Sequence, residues 1–353
     1  MNKYSFYRKR LWAVVVCFLA LTACSGTADS QKPSASQNQL PPQETAAASE
    51  PDVSESAVLE PDSSEPVVLE EEGQKAKEEG AGITGQDAFK PAGPEPNAAE
   101  PEIVDTDWSS YFQGLKGGAV IYDPSSRQYR IYNKELAQTR RSPCSTFKII
   151  SSLIALEHGI ILPDSSVRTW SGERFWNEKW NQDMDFSWAF RESCVWYFRE
   201  VINEIGQERM KEELERLEYG NKDISDWQGQ KNTSNKNPAL TGFWIESSLL
   251  ISPKEQTEVL ERIFGADSVY SKEIQDELKQ VMAVQGQDNP TIYGKTGMGK
   301  AHGVVVDAWF AGFAETEKGN LYFCVYLGEN KEGNVSSTAA KEIAVEILRQ
   351  TVQ

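Results

Sequence analysis

Ser145 and Lys148 lie three residues apart in the run Cys144-Ser145-Thr146-Phe147-Lys148-Ile149-Ile150. On a helix that spacing puts both side chains on one face, a turn apart. A serine hydroxyl attacks an acyl group only when a base takes its proton. A lysine sunk among apolar neighbours is costly in its charged form, so its pKa falls and its amine can serve as that base. A helix N-terminus also offers backbone N–H groups suited to a developing oxyanion. S-x-x-K arises by chance on many helices, with the lysine snorkelling to solvent. Here the lysine has no polar face to reach.

A second candidate is Tyr293-Gly294-Lys295-Thr296-Gly297-Met298-Gly299, a lysine flanked by a hydroxyl and glycines just before two β-rich runs. Such a segment suits an edge strand that meets an anionic substrate closely. Gly294-Lys295-Thr296 also matches the end of a phosphate loop, but Asn289 stands where that motif needs its first glycine. Ser193-Cys194-Val195 and Tyr219-Gly220-Asn221 are uninformative alone. Of the two histidines, His158 falls at a helix end before Gly159, where a cation favours the dipole. His302 follows the lysine-glycine segment, yet no Asp-His-Ser pattern surrounds it. Cys144 and Cys194 sit beside serines; with Cys324 they are odd in number, and small buried cysteine is the commoner role. With no C-x-x-C pair and two histidines, no metal site is expected.

The elements that must hold these residues are readable in outline. Residues 118–122 and 128–132 are β-rich and flank the turn signal Asp123-Pro124-Ser125-Ser126, which predicts a hairpin. Residues 143–159 are apolar nearly all round and end at Gly159, which predicts one buried helix carrying Ser145 and Lys148. Residues 186–217 read as broadly helical, with Ser193 on that stretch. Residues 304–314 and 321–327 read as strands paired across Lys318-Gly319-Asn320, and 338–350 as an amphipathic closing helix. The fold class expected is mixed α/β (α+β): one antiparallel sheet completed by both ends of the chain and flanked by helices. A helical subdomain, inserted between the strands, carries part of the active site.

The rest of the 353 residues have a different character. Lys3, Arg8, Lys9 and Arg10 precede a short apolar stretch, 11–21, too short for a comfortable membrane span. It ends in Leu21-Thr22-Ala23-Cys24, which resembles the bacterial lipobox. That resemblance implies a signal peptide over 1–23, cleavage before Cys24 and lipidation of its thiol, hence an extracytoplasmic protein anchored to a bacterial membrane by lipid. Residues 25–102 hold 17 acidic and 4 basic residues, ten of the sixteen prolines and one aromatic, Phe89. Such a segment cannot offset its ordering entropy and is read as a tether. All tryptophans but Trp12 lie in 103–353, the folded part. A net charge of −17 excludes nucleic acid as a partner.

Taken in order, S-x-x-K, S-x-V, Y-G-N and K-T-G resemble the penicilloyl-serine transferases, and among them the class D serine β-lactamases (oxacillinases). Residues 180–183, Val195-Trp196-Tyr197-Phe198, residues 243–249 with Ile251-Ser252-Pro253, and residues 308–312 carry the same resemblance. It implies that Ser145 opens the β-lactam ring. Lys148 is then carbamylated by CO2, to N6-carboxylysine, and acts as general base. Trp244 holds the carbamate through its indole N–H, Ser193 passes a proton to the leaving nitrogen, and Val195 keeps the lysine dry. Lys295 and Thr296 meet the substrate carboxylate on the strand that Gly297 continues, and the backbone N–H groups of Ser145 and Met298 form the oxyanion hole. No cofactor beyond CO2 or bicarbonate is implied.

The sequence departs from that pattern at two points. The arginine often found near the start of the last helix is missing from residues 336–341, and the segment from Asn221 to Phe243 is longer and more polar than usual. Other readings are a β-lactam sensor, which stays acylated, a penicillin-binding D,D-peptidase, and a non-enzymatic lipoprotein. Against the sensor stand the lack of a multi-helix membrane region and Val195, where sensors tend to carry Asn. Y-G-N and the Trp244 segment weigh against the peptidase. The adhesin-like reading leaves the ordered serines and lysines unexplained.

Overall fold

The run Ala308-Trp309-Phe310-Ala311-Gly312-Phe313-Ala314 has no polar residue, as a strand covered on both faces should. In the computed structural model, which describes residues 100–353 apart from 164, 289, 330–334 and 353, it is the middle of β6 (Val304–Thr316). Alternate side chains serve two cores. Trp309, Ala311 and Phe313 face the helical side, while Ala308, Phe310 and Ala314 face the closing helix α9 (Ser337–Val352). β7 (Gly319–Gly328) divides in the same way, Tyr322, Cys324 and Tyr326 against Phe323, Val325 and Leu327.

The other strands are β1 (Glu102–Asp105), β2 (Gly117–Asp123), β3 (Gln128–Tyr132), β4 (Ala283–Asp288) and β5 (Thr291–Ala301). Their order in the seven-stranded sheet is β1-β3-β2-β7-β6-β5-β4, so both ends of the chain do complete one sheet. The expected β2–β3 and β6–β7 hairpins are present. Two details differ from the sequence reading. β1 pairs with β3 in parallel, so the sheet is not wholly antiparallel. The strand with Lys295 is not the edge: β4 lies outside it, through Ala283–Tyr293 and Asp288–Thr291 pairs separated by an irregularity. From Gly294 onward no β4 pairing is present, and that stretch of β5 behaves as the edge the glycines suggested.

The helices are α1 (Ser109–Phe112), α2 (Lys134–Gln138), α3 (Lys148–Glu157), α4 (Phe186–Arg191), α5 (Val195–Ile205), α6 (Gln207–Arg216), α7 (Pro253–Phe264), α8 (Lys272–Met282) and α9. From Lys148 to Ala155 every residue of α3 is buried, as an all-round apolar helix must be. The single helix expected over 143–159 instead opens as a 3₁₀ turn, Cys144–Phe147, after Pro143. α7 begins with a capping box, Ser252 and Glu255 bonding each other's backbone N–H with Pro253 at its first position. Cys24, the lipobox and the tether up to residue 99 lie outside the described residues. No helix among the described residues is long and apolar enough to cross a membrane.

Candidate active site

The 3₁₀ turn holding Ser145 is tied down on both sides. The Cys144 N–H donates to the Trp244 carbonyl (2.9 Å), as does Ser142 Oγ (3.0 Å). Thr146 Oγ1 donates to the Pro143 carbonyl (2.7 Å) and accepts from Gln256 Nε2 (2.9 Å). Lys148, the first residue of α3, has 0% exposure, and its Nζ lies 3.0 Å from Ser145 Oγ. The Phe198 ring lies 5.3 Å from that nitrogen, and among the described residues no carboxylate pairs with it. Burial in these apolar surroundings lowers its pKa from 10.5 to about 8. A serine hydroxyl and an amine of lowered pKa are therefore in contact.

Ser193 does not sit on a helix. The stretch 186–217 is three helices, and Ser193 occupies the break between α4 and α5 with φ +56°. Its N–H and that of Cys194 bond back to Phe190 (3.2 Å) and Ala189 (2.9 Å), closing α4 with a left-handed cap usually given to glycine. A serine held there costs about 1 kcal/mol. The strain is consistent with a side chain aimed by function. Cys194 is close enough to Lys148 for their charges to interact, which puts this break beside the base. Val195 lines one cavity of about 440 Å³ together with Ser145 and Met298.

β5 crosses directly behind the serine turn. A Cβ on Gly297 would stand 3.0 Å from the Pro143 carbonyl and 3.1 Å from Thr146 Cγ2, so a larger residue would push the strand and the turn apart by a few tenths of an ångström. Lys295 is 5% exposed, and among the described residues its amine bonds Thr296, the carbonyl at 3.1 Å and the hydroxyl at 3.4 Å. Burial, then the charges of Lys148 and Lys341, push its pKa well below the ordinary range. Lys341 from α9, Arg191, Lys295 and Thr296 line a second cavity of about 340 Å³, to which no acidic residue among the described residues contributes. Trp244 is buried beneath the turn, stacked at 6.2 Å on Phe147, the residue preceding Lys148.

Two motifs prove to be architecture. Tyr219 packs edge-on against Phe147 (5.5 Å), and Asn221 clasps 248–250 through Ser248 and Leu250 (2.8 and 2.9 Å). The long polar segment after Asn221 is ordered by Asp226, which accepts from the N–H groups of Gln230 and Lys231 and from Ser247. Buried Arg199 holds its Trp227 carbonyl (2.8 Å). That segment brings Asn232, Asn235 and Asn237 to the wall of the Ser145 cavity, which Phe175, Trp176 and Trp180 also line; periodicity could have placed none of them. His302 is exposed at the tip of the β5–β6 hairpin with φ +51°. Glu157, His158 and Glu213 cluster elsewhere, but Arg216 bonds both carboxylates. Cys144, Cys194 and Cys324 are free and buried.

A buried lysine amine in contact with a serine hydroxyl, with a second lysine on a strand behind it, is the arrangement that serine–lysine acyl-transfer chemistry requires. Residues 117–349 match the penicillin binding protein transpeptidase domain family. The chain is 34% identical to the probable β-lactamase YbxI of Bacillus subtilis over 68% of its own length and 82% of that protein's. It is 32% identical to the regulatory protein BlaR1 of Bacillus licheniformis, over 69% of this chain but only 38% of BlaR1. The crystal structure of a class D β-lactamase from Bacillus subtilis, 32% identical, superposes with a TM-score of 0.59 over 69% of this chain and 95% of that one. The chain belongs to the penicillin binding protein transpeptidase domain family and, within it, to the class D β-lactamases.

Proposed function

We propose that the protein hydrolyses the β-lactam ring of penicillin-type antibiotics through an ester on Ser145. The observation that carries this is the fully buried Lys148 amine, 3.0 Å from the serine hydroxyl and with its pKa drawn down to about 8. The Ser145 proton passes to the base as Oγ bonds the lactam carbonyl carbon. The C–N bond breaks, and Ser193 relays a proton to the departing nitrogen. The Ser145 and Met298 N–H groups hold the oxyanion, each worth roughly 10²–10³ in rate. Lys295 and Thr296, with Lys341 in place of the missing arginine, meet the substrate carboxylate. Water then attacks the ester and frees the serine.

A neutral, dry amine is also the form that adds CO2, and the surroundings of Lys148 fit that modification: among the described residues no carboxylate competes for the nitrogen, and Trp244 stacks on the adjoining Phe147. The carbamate would supply a general base that is already ionised at neutral pH, with oxygens to take the proton. Secretion and a lipid anchor at Cys24 rest on residues 1–24 alone and complete the proposal as a resistance protein held at the membrane.

The likeness to BlaR1 favours a second reading, in which Ser145 is acylated and stays so. Intact-protein mass, followed beside product formation with a penicillin and a chromogenic cephalosporin in bicarbonate, separates the two. Steady turnover with a short-lived adduct is the expected result. One equivalent of product and a lasting adduct would make the protein a sensor or a penicillin-binding protein. No adduct would refute both.

A further inference from the structure

Behind the serine turn lies a group that the acyl-transfer steps do not use. Cys144 and Glu246, both non-glycine residues in the left-handed region (φ +50° and +49°), meet side chain to side chain, Sγ 3.2 Å from Oε1. Ser142 joins the same two loops, accepting from the Glu246 N–H (2.8 Å) and donating to the Trp244 carbonyl. The Glu246 carboxyl rests directly on the β5 backbone: a Cβ on Gly299 would overlap it. Gly299 is paired with Asp307 on β6, at the point where the β5–β6 register shifts. Asp307 in turn bonds the Glu246 carboxyl and accepts from the Tyr326 hydroxyl at 2.6 Å.

Resting on the hydrolase reading above, we infer that the hydrogen-bonded Glu246–Asp307 pair is a positioning latch that presses the Met298–Gly299 stretch of β5 against the Ser145 turn. Asp307 stands off the Ser145 cavity, and Glu246 reaches its wall only beside Cys144 and Gly299. Each acts through the spacing of the two N–H groups, on Ser145 and on Met298, that hold the oxyanion. Misplacement of such donors lowers the acylation rate without weakening substrate binding.

Two carboxyls in contact keep one proton between them, because two adjacent carboxylates repel. Burial, then the Asp307 charge, raise Glu246 to about 7, and Asp307 is also raised. The groups facing the pair are Arg141, Cys144 and Tyr326, with Arg174 and Lys300 on the adjoining cavity wall. Arg141 alone is in electrostatic reach as a cation and does not offset the repulsion. Above about pH 7 the shared proton is lost and the latch opens.

The test is the acylation rate of Ser145 at saturating β-lactam, read as adduct mass from pH 6 to pH 8, for the full-length wild type and Glu246→Gln. The glutamine amide donates to Asp307 and accepts from Cys144 but does not ionise. With a group titrating at about 7, the variant-to-wild-type ratio rises roughly tenfold over that range. The half-saturating concentration stays unchanged. The Lys148 limb is common to both proteins and cancels. Asp307→Asn moves the profile in the same direction, which guards against a folding defect peculiar to one variant. Superimposable pH profiles, or a change confined to half-saturation, would overturn the latch alone. A wild type that forms no adduct overturns the latch together with the hydrolase reading.

Discussion

Replacing Lys148 with methionine should stabilise the fold while abolishing its chemistry, and the gain should depend on pH in a defined way. The lysine is fully buried and its pKa lies about 8 in the fold against 10.5 when free. Between those values the unfolded chain carries one more proton than the folded one, so this group's contribution to stability rises with pH across that window. Below pH 8 the buried ammonium costs about 3 kcal/mol relative to the neutral amine at high pH. Methionine fills nearly the same space without a charge. It loses the contact with Ser145 Oγ, worth about 1 kcal/mol. The variant should therefore be about 2 kcal/mol more stable than the wild type at pH 7 and about as stable as the wild type near pH 10. Urea unfolding of both proteins at the two pH values, in CO2-free buffer, measures the difference. An equal difference at pH 7 and pH 10 would falsify the desolvated amine, and with it the account of how Ser145 is activated. Acylation in the variant at a wild-type rate would refute the role of the lysine directly.

Three other perturbations probe the remaining parts. Gly297→Ala puts a methyl 3.0 Å from the Pro143 carbonyl; we expect acylation to fall on the order of 10²-fold with folding retained, and a wild-type rate would show that the approach of β5 to the turn is not needed. Lys341→Ala should raise KM for carboxylate-bearing penicillins about tenfold and leave kcat alone, whereas an unchanged KM places the carboxylate on Lys295 and Thr296 only. Trp244→Ala should weaken turnover in a way that added bicarbonate partly restores; a weakened enzyme indifferent to bicarbonate makes Trp244 a packing residue.

What the sequence made legible and what it hid follow from how each residue is held. Ser145 and Lys148 could be paired on paper because three residues of local backbone fix their spacing, and the apolar run around them already implied the burial that lowers the amine's pKa. The 3₁₀ opening of that helix was not legible, because it is set by Trp244 and Gln256 bonding the turn from elsewhere in the chain. The same holds for Ser193. Its left-handed cap carries no glycine or proline to mark it inside an apolar run, and only the contact of α5 with α3 places the break beside Lys148. Glu246 stood inside a quoted motif, yet its neighbours Cys144, Gly299 and Asp307 are 102, 53 and 61 residues away in the chain. No period of 2 or 3.6 residues reports a contact of that kind. A site of this design divides accordingly: the reacting pair is written locally, while the geometry that makes it react is written in the meeting of two loops and a strand.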